Sequence, residues 1–429
     1  MIIITRLRSF FNIVTSSIAF YPTFYAVSAV IFGFVMKTAE AMGVSRFLQE
    51  NASYLVVNDI DTARNVLTTL IAGGLSMLVF SFSMVMLLLS QAAANYSPRV
   101  LPSLISNRRH QTILGTFLAM ILYNIITVIG LQPHGDDYQL PGFSVLIGIA
   151  FAVLALAAFV YFIHSISSSI QINNILENIY SLSRKRLLFL VEENRFSKDF
   201  EDTDDWHTIK TNRSGTIQNM SITGLKELAR ESETKFDILM SKGEYLFEHQ
   251  PLVKSKKELD ESELEELFKN FNYTESELVS DNYIIGFKQI TEIGIKAMSP
   301  GINDPGTALD TIHYLTELFA LRMQKGDIGV VEDEDGNPVI NLKVIDFKTL
   351  MYNVLAPFRT YCKHDITVMQ KLLGMIAYLK TLDAANDSFY QVLDREATMM
   401  IQDVNSAIEN PIDLEVLQGI YDRMNIQET

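Results

Sequence analysis

The first 180 residues alternate between long stretches without charged side chains and short polar connections. Four windows contain no Asp, Glu, Lys or Arg: 9–36, 65–98, 110–135 and 138–176. Each holds at least about 20 mostly apolar residues, the length an α-helix needs to cross a bilayer. The strongest runs are FYAVSAVIFGFVM, SMLVFSFSMVMLLL, FLAMILYNIITVIGL and FSVLIGIAFAVLALAAFVYFI. One such run fits the buried helix of a soluble protein. Four within the first 176 residues predict four transmembrane helices.

The pattern does not stop at the end of the fourth window. Apolar residues recur at Ile163, Ile166, Ile170, Ile175, Ile179 and Leu182, and no Pro or Gly intervenes up to Phe196. This spacing predicts one long helix leaving the bilayer with an amphipathic stripe. The stripe packs either on the chain's own soluble part or on the same helix of neighbouring subunits. Beyond it, SGTIQNMS reads as a turn entering a strand, ITGLKELARES as a short helix, and KFDILM and EYLFEHQPLV as strands joined at Ser241-Lys242-Gly243. From KKELDESELEELFKNF onward the pattern is largely helical, with a β-hairpin at IGVVEDEDGNPVINLKVIDF. The predicted organisation is a four-helix transmembrane domain (1–170), a helical neck (171–196), a small α+β module (197–255) and a mainly helical cytoplasmic domain (256–429). The fold class is an α-helical multispan membrane protein with a C-terminal, mainly helical α+β cytoplasmic domain.

Charge sets the expected orientation. Arg6 and Arg8 precede the first window, Arg99, Arg108 and Arg109 separate the second from the third, and Arg184, Lys185 and Arg186 follow the fourth. The other two connections are acidic overall. All basic segments therefore fall on one side, which places both termini in the cytoplasm. KTAEAMG has Ala39 and Ala41 in the arrangement of a signal-peptide cleavage site, but the apolar stretch before it is about twice the usual length, so it reads as a retained anchor. Residues 1–170 hold 8 basic and 6 acidic residues and the remainder holds 27 and 44, for net charges of +2 and −17. An acidic soluble part argues against nucleic acid as a partner. Cys362 is the only cysteine, so no intrachain disulfide forms.

Two short motifs stand out: Ser97-Pro98-Arg99 after the second window, and Ser299-Pro300-Gly301-Ile302-Asn303-Asp304-Pro305. With the flanking segments SFSMVMLLLSQAAANYSPRVLPSLISNRRHQTILGTFLAMILY and FKQITEIGIKAMSPGINDPGTALDTIHYL, they resemble the "domain of unknown function 2254" family of predicted bacterial membrane proteins. The resemblance implies a multispan protein of the bacterial inner membrane with a cytoplasmic domain. It implies no activity. In local terms, Pro300 ends one helix, and Asp304 followed by Pro305 is a cap followed by a first-turn proline that starts the next. The alternative is that Asn303, Asp304 and the helix-start amides form an interface or bind an ion or small ligand.

Two metal-like spacings read as ordinary surface. Asp310, His313 and Glu317 share a helical face, without a second cluster to complete a shell. Asp333-x-Asp335-x-Asn337 is followed by Pro338 and Val344 where a calcium loop needs Gly and Glu. No metal or cofactor is expected.

Inside the apolar windows the notable residues are hydroxyls. Thr69, Ser76, Ser83 and Ser90 recur every seven residues and form a slowly drifting stripe. Such residues favour helix–helix contacts, or line a water-filled path when several subunits surround an axis. The windows lack the mid-membrane carboxylate or base typical of pumps and coupled transporters. Nucleophile-elbow, P-loop, dinucleotide and zinc-protease motifs are absent, so no enzyme is expected. The reading that follows is a homo-oligomeric, channel-like pore with an acidic regulatory domain. The alternative is a membrane-anchored binding or sensing module that does not conduct.

Overall fold

A computed structural model describes residues 19–51, 56–57, 59–95, 108–131, 141–169, 171–193, 200–274, 282–327 and 329–424. The chain divides into two compact units, meeting in sequence between Gln171 and Ile172.

The first unit contains α1 (Phe20–Ala41), α2 (Val44–Asn51), α3 (Ile60–Asn95), α4 (Arg108–Gly130) and α5 (Gly142–Ser169). Four of these, all but α2, are long and apolar enough to cross a membrane. α4 is the most enclosed. It packs against α5 through Ile113, Phe117, Met120 and Ile121 with Ala152, Ala155 and Phe162, and against α1 through Tyr123 with Ala29 and Met36. α3 turns Ala63, Leu67, Gly74, Ser81 and Leu88 inward, at intervals of four and seven residues. A Cβ at Gly74 would lie 2.2 Å from the end of the Met120 side chain, so glycine makes room on α3 for the Met120 side chain of α4. Polar groups fasten the start of α5. The Glu40 carboxylate accepts from the Ser144 amide at 2.7 Å and its hydroxyl at 2.8 Å, and the Ser45 hydroxyl accepts from the Phe143 amide at 2.9 Å. Glu40 sits between Ala39 and Ala41, and α1 runs through both alanines.

The second unit begins with α6 (Ile172–Glu193). The sequence predicts one helix from the fourth window through this segment. The structure instead gives two, with Gln171 outside either. A run of Ser and polar Gln and Asn offers little side-chain packing to hold helical turns there, and such residues compete for backbone hydrogen bonds. α6 buries Ile175, Leu176, Ile179, Ser183 and Leu187 and packs on α9 (Tyr283–Ala297) and α10 (Pro305–Arg322). Its amphipathic stripe is thus covered by the same chain.

Between them lies an α+β region: β1 (His207–Lys210), β2 (Gly215–Met220), α7 (Ile222–Glu231), β3 (Phe236–Ile238), β4 (Tyr245–Leu246), β5 (Pro251–Ser255), α8 (Glu261–Lys269) and β6 (Phe271–Thr274). β6 lies in a stretch whose sequence reads as helix. The C-cap Asn270 ends α8, and the next four residues pair antiparallel with β2. A strand this short has too few residues for its alternation to stand out. The hairpin β7 (Val330–Glu332) and β8 (Pro338–Leu342) extends the larger sheet, whose order is β1-β5-β3-β8-β7. β8 runs parallel to β3, pairing Phe236 with Ile340 and Ile238 with Leu342. At the hairpin tip, the Asp333 carboxylate accepts from the amides of Asp335 and Asn337 at 3.0 and 2.8 Å.

The remaining helices are α11 (Phe347–Cys362), α12 (Ile366–Leu379), α13 (Ser388–Asn405) and α14 (Pro411–Asp422). Phe287, Phe319, Phe347 and Phe389 pack in series at centroid distances of 4.7, 6.1 and 4.5 Å and join α9, α10, α11 and α13. Arg322 closes this core. It is fully buried, donates to the carbonyls of Lys325 at 2.7 Å and Ile345 at 3.0 Å, and pairs with Asp327. Asp327 also accepts from the Phe347 amide at 3.0 Å, which fixes the start of α11.

Candidate functional site

The break between α9 and α10 satisfies itself. The amides of Ile302 and Asn303 donate to Ser299 O at 3.0 and 2.9 Å, and the Asp304 amide donates to Ala297 O at 2.8 Å. Asn303 adopts φ +50°, which asparagine tolerates better than most residues. The Asp304 carboxylate accepts from the Thr307 amide at 3.1 Å and its hydroxyl at 2.6 Å, capping α10 with Pro305 in its first turn. These bonds hold the carboxyl below its ordinary range, chiefly through the Thr307 hydroxyl. Gly301, Asn303, Asp304 and Pro305 are exposed, and the Ser299 hydroxyl donates to Lys296 O at 2.7 Å. No buried polar atom here is left for a ligand among those described. Ser97, Pro98 and Arg99 lie outside the described residues.

The hydroxyl stripe of α3 faces outward. Thr69, Ser76, Ser83 and Ser90 are exposed, on the side away from Gly74 and Ser81. Thr69, Ser76 and Ser83 donate to the carbonyls of Asn65, Ala72 and Val79 at 2.7, 3.0 and 2.9 Å. Within the chain they line no interior. Buried polar side chains do occur in this unit at positions without a sequence pattern. Asn124 is fully buried against Gly148, and neither of its side-chain polar atoms has a hydrogen-bond partner.

His313 and Glu317 stand 3.3 Å apart, Tyr180 donates to Glu317, and Tyr314 donates to Glu177 at 3.2 Å. This face thereby ties α10 to α6. Among the described residues no group of three His, Cys, Asp or Glu stands close enough to hold a metal.

The second unit contains a cavity of about 660 Å³. Its wall comes from α6, from the starts of α7 and α9, and from the segments around 241–242 and 325–345. Five bases line it (Arg186, Lys226, Lys242, Lys325 and Lys343), against one acid, Glu332. Phe189, Leu190, Met220, Ile222 and Ile284 give it an apolar side. Lys325 is only 3% exposed, and its ammonium donates to Gly326 O at 2.9 Å. Burial, with Arg322 beside it, lowers its pKa to about 8, and Asp327 opposes the shift. Lys242 donates to Asn219 at 2.8 Å, and Asn282 donates to Lys242 O at 3.0 Å, joining the Lys242 turn to the cap of α9. Arg186 lies 5.3 Å from the Phe189 ring, and its Nε is buried with no hydrogen-bond partner. Glu332 Oε1 is in the same condition.

No motif marks this cavity in the sequence, where its five bases span 158 positions. Arg186 enters the sequence reading only as an orientation signal, and Lys242 only as part of a turn. The available signal is the contrast between these lysines and the acidic balance around them.

The fold is mostly helical, with four helices long and apolar enough to cross a membrane and an α+β unit with its own core. The comparison with known families agrees. The chain belongs to the family described as "Predicted membrane protein (DUF2254)", which matches residues 15–378. An uncharacterized protein of Mycobacterium bovis, Mb1321c, and its Mycobacterium tuberculosis counterpart, Rv1290c, are each 24% identical over 339 residues. The match covers 73% of this chain and 63% of each relative, so the chain spans less than two thirds of their length. No solved structure matches.

Proposed function

We propose that this is a membrane-anchored binding or sensing protein whose second unit takes a small ligand in the basic cavity. The observation that carries the reading is the cavity itself, whose wall sets five bases against one acid beside an apolar side. A concave site that joins an apolar wall to convergent polar groups is the usual form of a small-ligand site. α6 contributes Arg186, Phe189 and Leu190, and its chain continues from α5, the last of the four helices long and apolar enough to cross a membrane. A ligand that grips α6 therefore acts on the segment covalently joined to the membrane part. We place the protein in a bacterial inner membrane with both termini cytoplasmic, on the distribution of Lys and Arg. The reading involves no catalysis and no nucleic acid.

The test is native mass spectrometry of the full-length protein purified from membranes, alongside Ile284→Trp, which places an indole in the cavity. A small molecule should co-purify with the natural chain and be lost from the folded variant. A bare natural chain, or a molecule retained by Ile284→Trp, rejects the reading.

A second reading, a homo-oligomeric channel-like pore, is favoured by the outward hydroxyl face of α3. In lipid, such a face suits contact with a second copy or a water-filled path between copies. Ion flux into liposomes, with oligomeric mass measured in the same preparation, tests it. A monomer without flux, both as full-length chain and without the second unit, removes it.

A further inference from the structure

We propose that the cavity is a nucleotide site that holds a nucleoside phosphate, with the phosphate at Arg186, Lys242 and Lys325 and the nucleoside against the apolar side. This rests on the ligand-binding reading above and names the ligand class.

Charge is the first argument. The sequence beyond residue 170 carries 44 acidic and 27 basic side chains, yet the cavity wall reverses that balance, five bases to one acid. Three of the bases also meet acids beyond the wall: Lys343 meets Glu244 at 3.5 Å, Lys226 helps to lower the Asp333 carboxyl, and Asp327 favours the Lys325 ammonium. The wall itself, five bases to one acid, favours an anion. A phosphate ester carries close to two negative charges at neutral pH and three strong acceptor oxygens. The first residues of α7 and α9 also line the cavity and bring the positive ends of two helix dipoles.

Shape and polarity give the second argument. Inorganic phosphate occupies a small part of 660 Å³ and makes no use of Leu190, Met220, Ile222 or Ile284. A planar, weakly polar body fills that side, and Phe189 supplies an aromatic face to it. Nucleoside phosphates meet both requirements.

The experiment is calorimetric titration of the full-length, detergent-solubilised protein at pH 7 with AMP, GMP and UMP, and with adenosine and inorganic phosphate as the two halves of the ligand. At least one nucleoside monophosphate should bind once per chain, and about tenfold or more tightly than its nucleoside or phosphate alone, the size expected for charge-assisted bonds added to stacking. Arg186→Ala should weaken it by about tenfold. Lys343→Glu, at a half-exposed position, should weaken it in the same direction in a variant that circular dichroism shows to be folded. Adenosine binding as tightly as AMP, or phosphate binding as tightly as every monophosphate, overturns the nucleotide assignment. So does monophosphate binding that neither substitution changes. If no monophosphate binds but a molecule lost in Ile284→Trp co-purifies, the nucleotide class is wrong and the binding reading stands. If neither is seen, both are wrong.

Discussion

The turn at 299–305 and the basic cavity lie in the same unit and treat their polar groups oppositely. The turn carries a conspicuous sequence motif, and its bonds close on themselves: Asp304 is used up by Thr307, and the amides of Asn303 and Asp304 by Ser299 and Ala297. The cavity carries no motif, yet its wall sets five bases against one acid. A run of Pro, Gly, Asn and Asp reports what the backbone must do locally. A binding wall built from distant segments leaves no local trace. Where a motif and a charged cavity diverge, the cavity is the better guide to a ligand.

The comparison breaks most severely at Arg322, which holds the segment forming one side of the cavity. Arg322→Met removes donors from Lys325 O, Ile345 O and Asp327 at a fully buried position. The expected cost is about 3–5 kcal/mol, as for breaking a buried ion pair on one side. Chemical denaturation of the solubilised protein measures it. A change below about 1 kcal/mol would mean that the bonds to Arg322 do not hold this segment, as for exposed pairs.

Lys325 sharpens the comparison through pH. Its pKa is lowered on folding to about 8, so the native state resists protonation. The associated instability is full below about 8 and is relieved as pH rises from there into the ordinary lysine range. Ligand binding runs the other way. An anion favours the ammonium form, whereas the neighbouring Arg322 and burial disfavour it and Asp327 favours it. AMP already carries its second charge at pH 7, so its affinity should fall by about tenfold between pH 7 and pH 9 through Lys325. Lys325→Met should flatten that profile. An unchanged slope in the variant would place the anion elsewhere.

Much of the architecture was legible from the chain. The four apolar windows appear as α1, α3, α4 and α5, because absence of charge over about 20 residues is a strong and local signal. The cap at Asp304 and the proline after it were equally plain. The break at Gln171 was not, because helical periodicity persists on both sides of it. β6 was hidden by its length. The cavity was invisible because Arg186, Lys242 and Lys325 each have an ordinary local role: a charge flank, a turn and a helix end.

The turn should respond in the opposite way to the cavity. Asp304→Ala loses the cap of α10 and should lower stability by about 1 kcal/mol, while AMP affinity stays unchanged. Asn303→Gly should be neutral or slightly stabilising, since glycine adopts φ near +50° without a steric cost. A loss of AMP binding in either folded variant, read by the same calorimetry, would join the turn to the site and end the contrast drawn above.

The smallest effect on stability is expected at Ser83, and its value lies in the contrast with Ser81 two residues away. Ser81 is fully buried and its hydroxyl has no hydrogen-bond partner, so Ser81→Leu should overpack the α3 contact and cost about 1–3 kcal/mol. Ser83 is exposed and its hydroxyl is satisfied by Val79 O, so Ser83→Leu should leave the folded chain unchanged. What Ser83→Leu changes then identifies what covers the outer face of α3. Altered oligomeric mass at unchanged stability assigns the face to a second copy. Lost flux at unchanged mass assigns it to a water-filled path. No change in stability, mass or flux leaves lipid as the surroundings, because a hydroxyl bonded to its own helix backbone exposes little polarity to hydrocarbon.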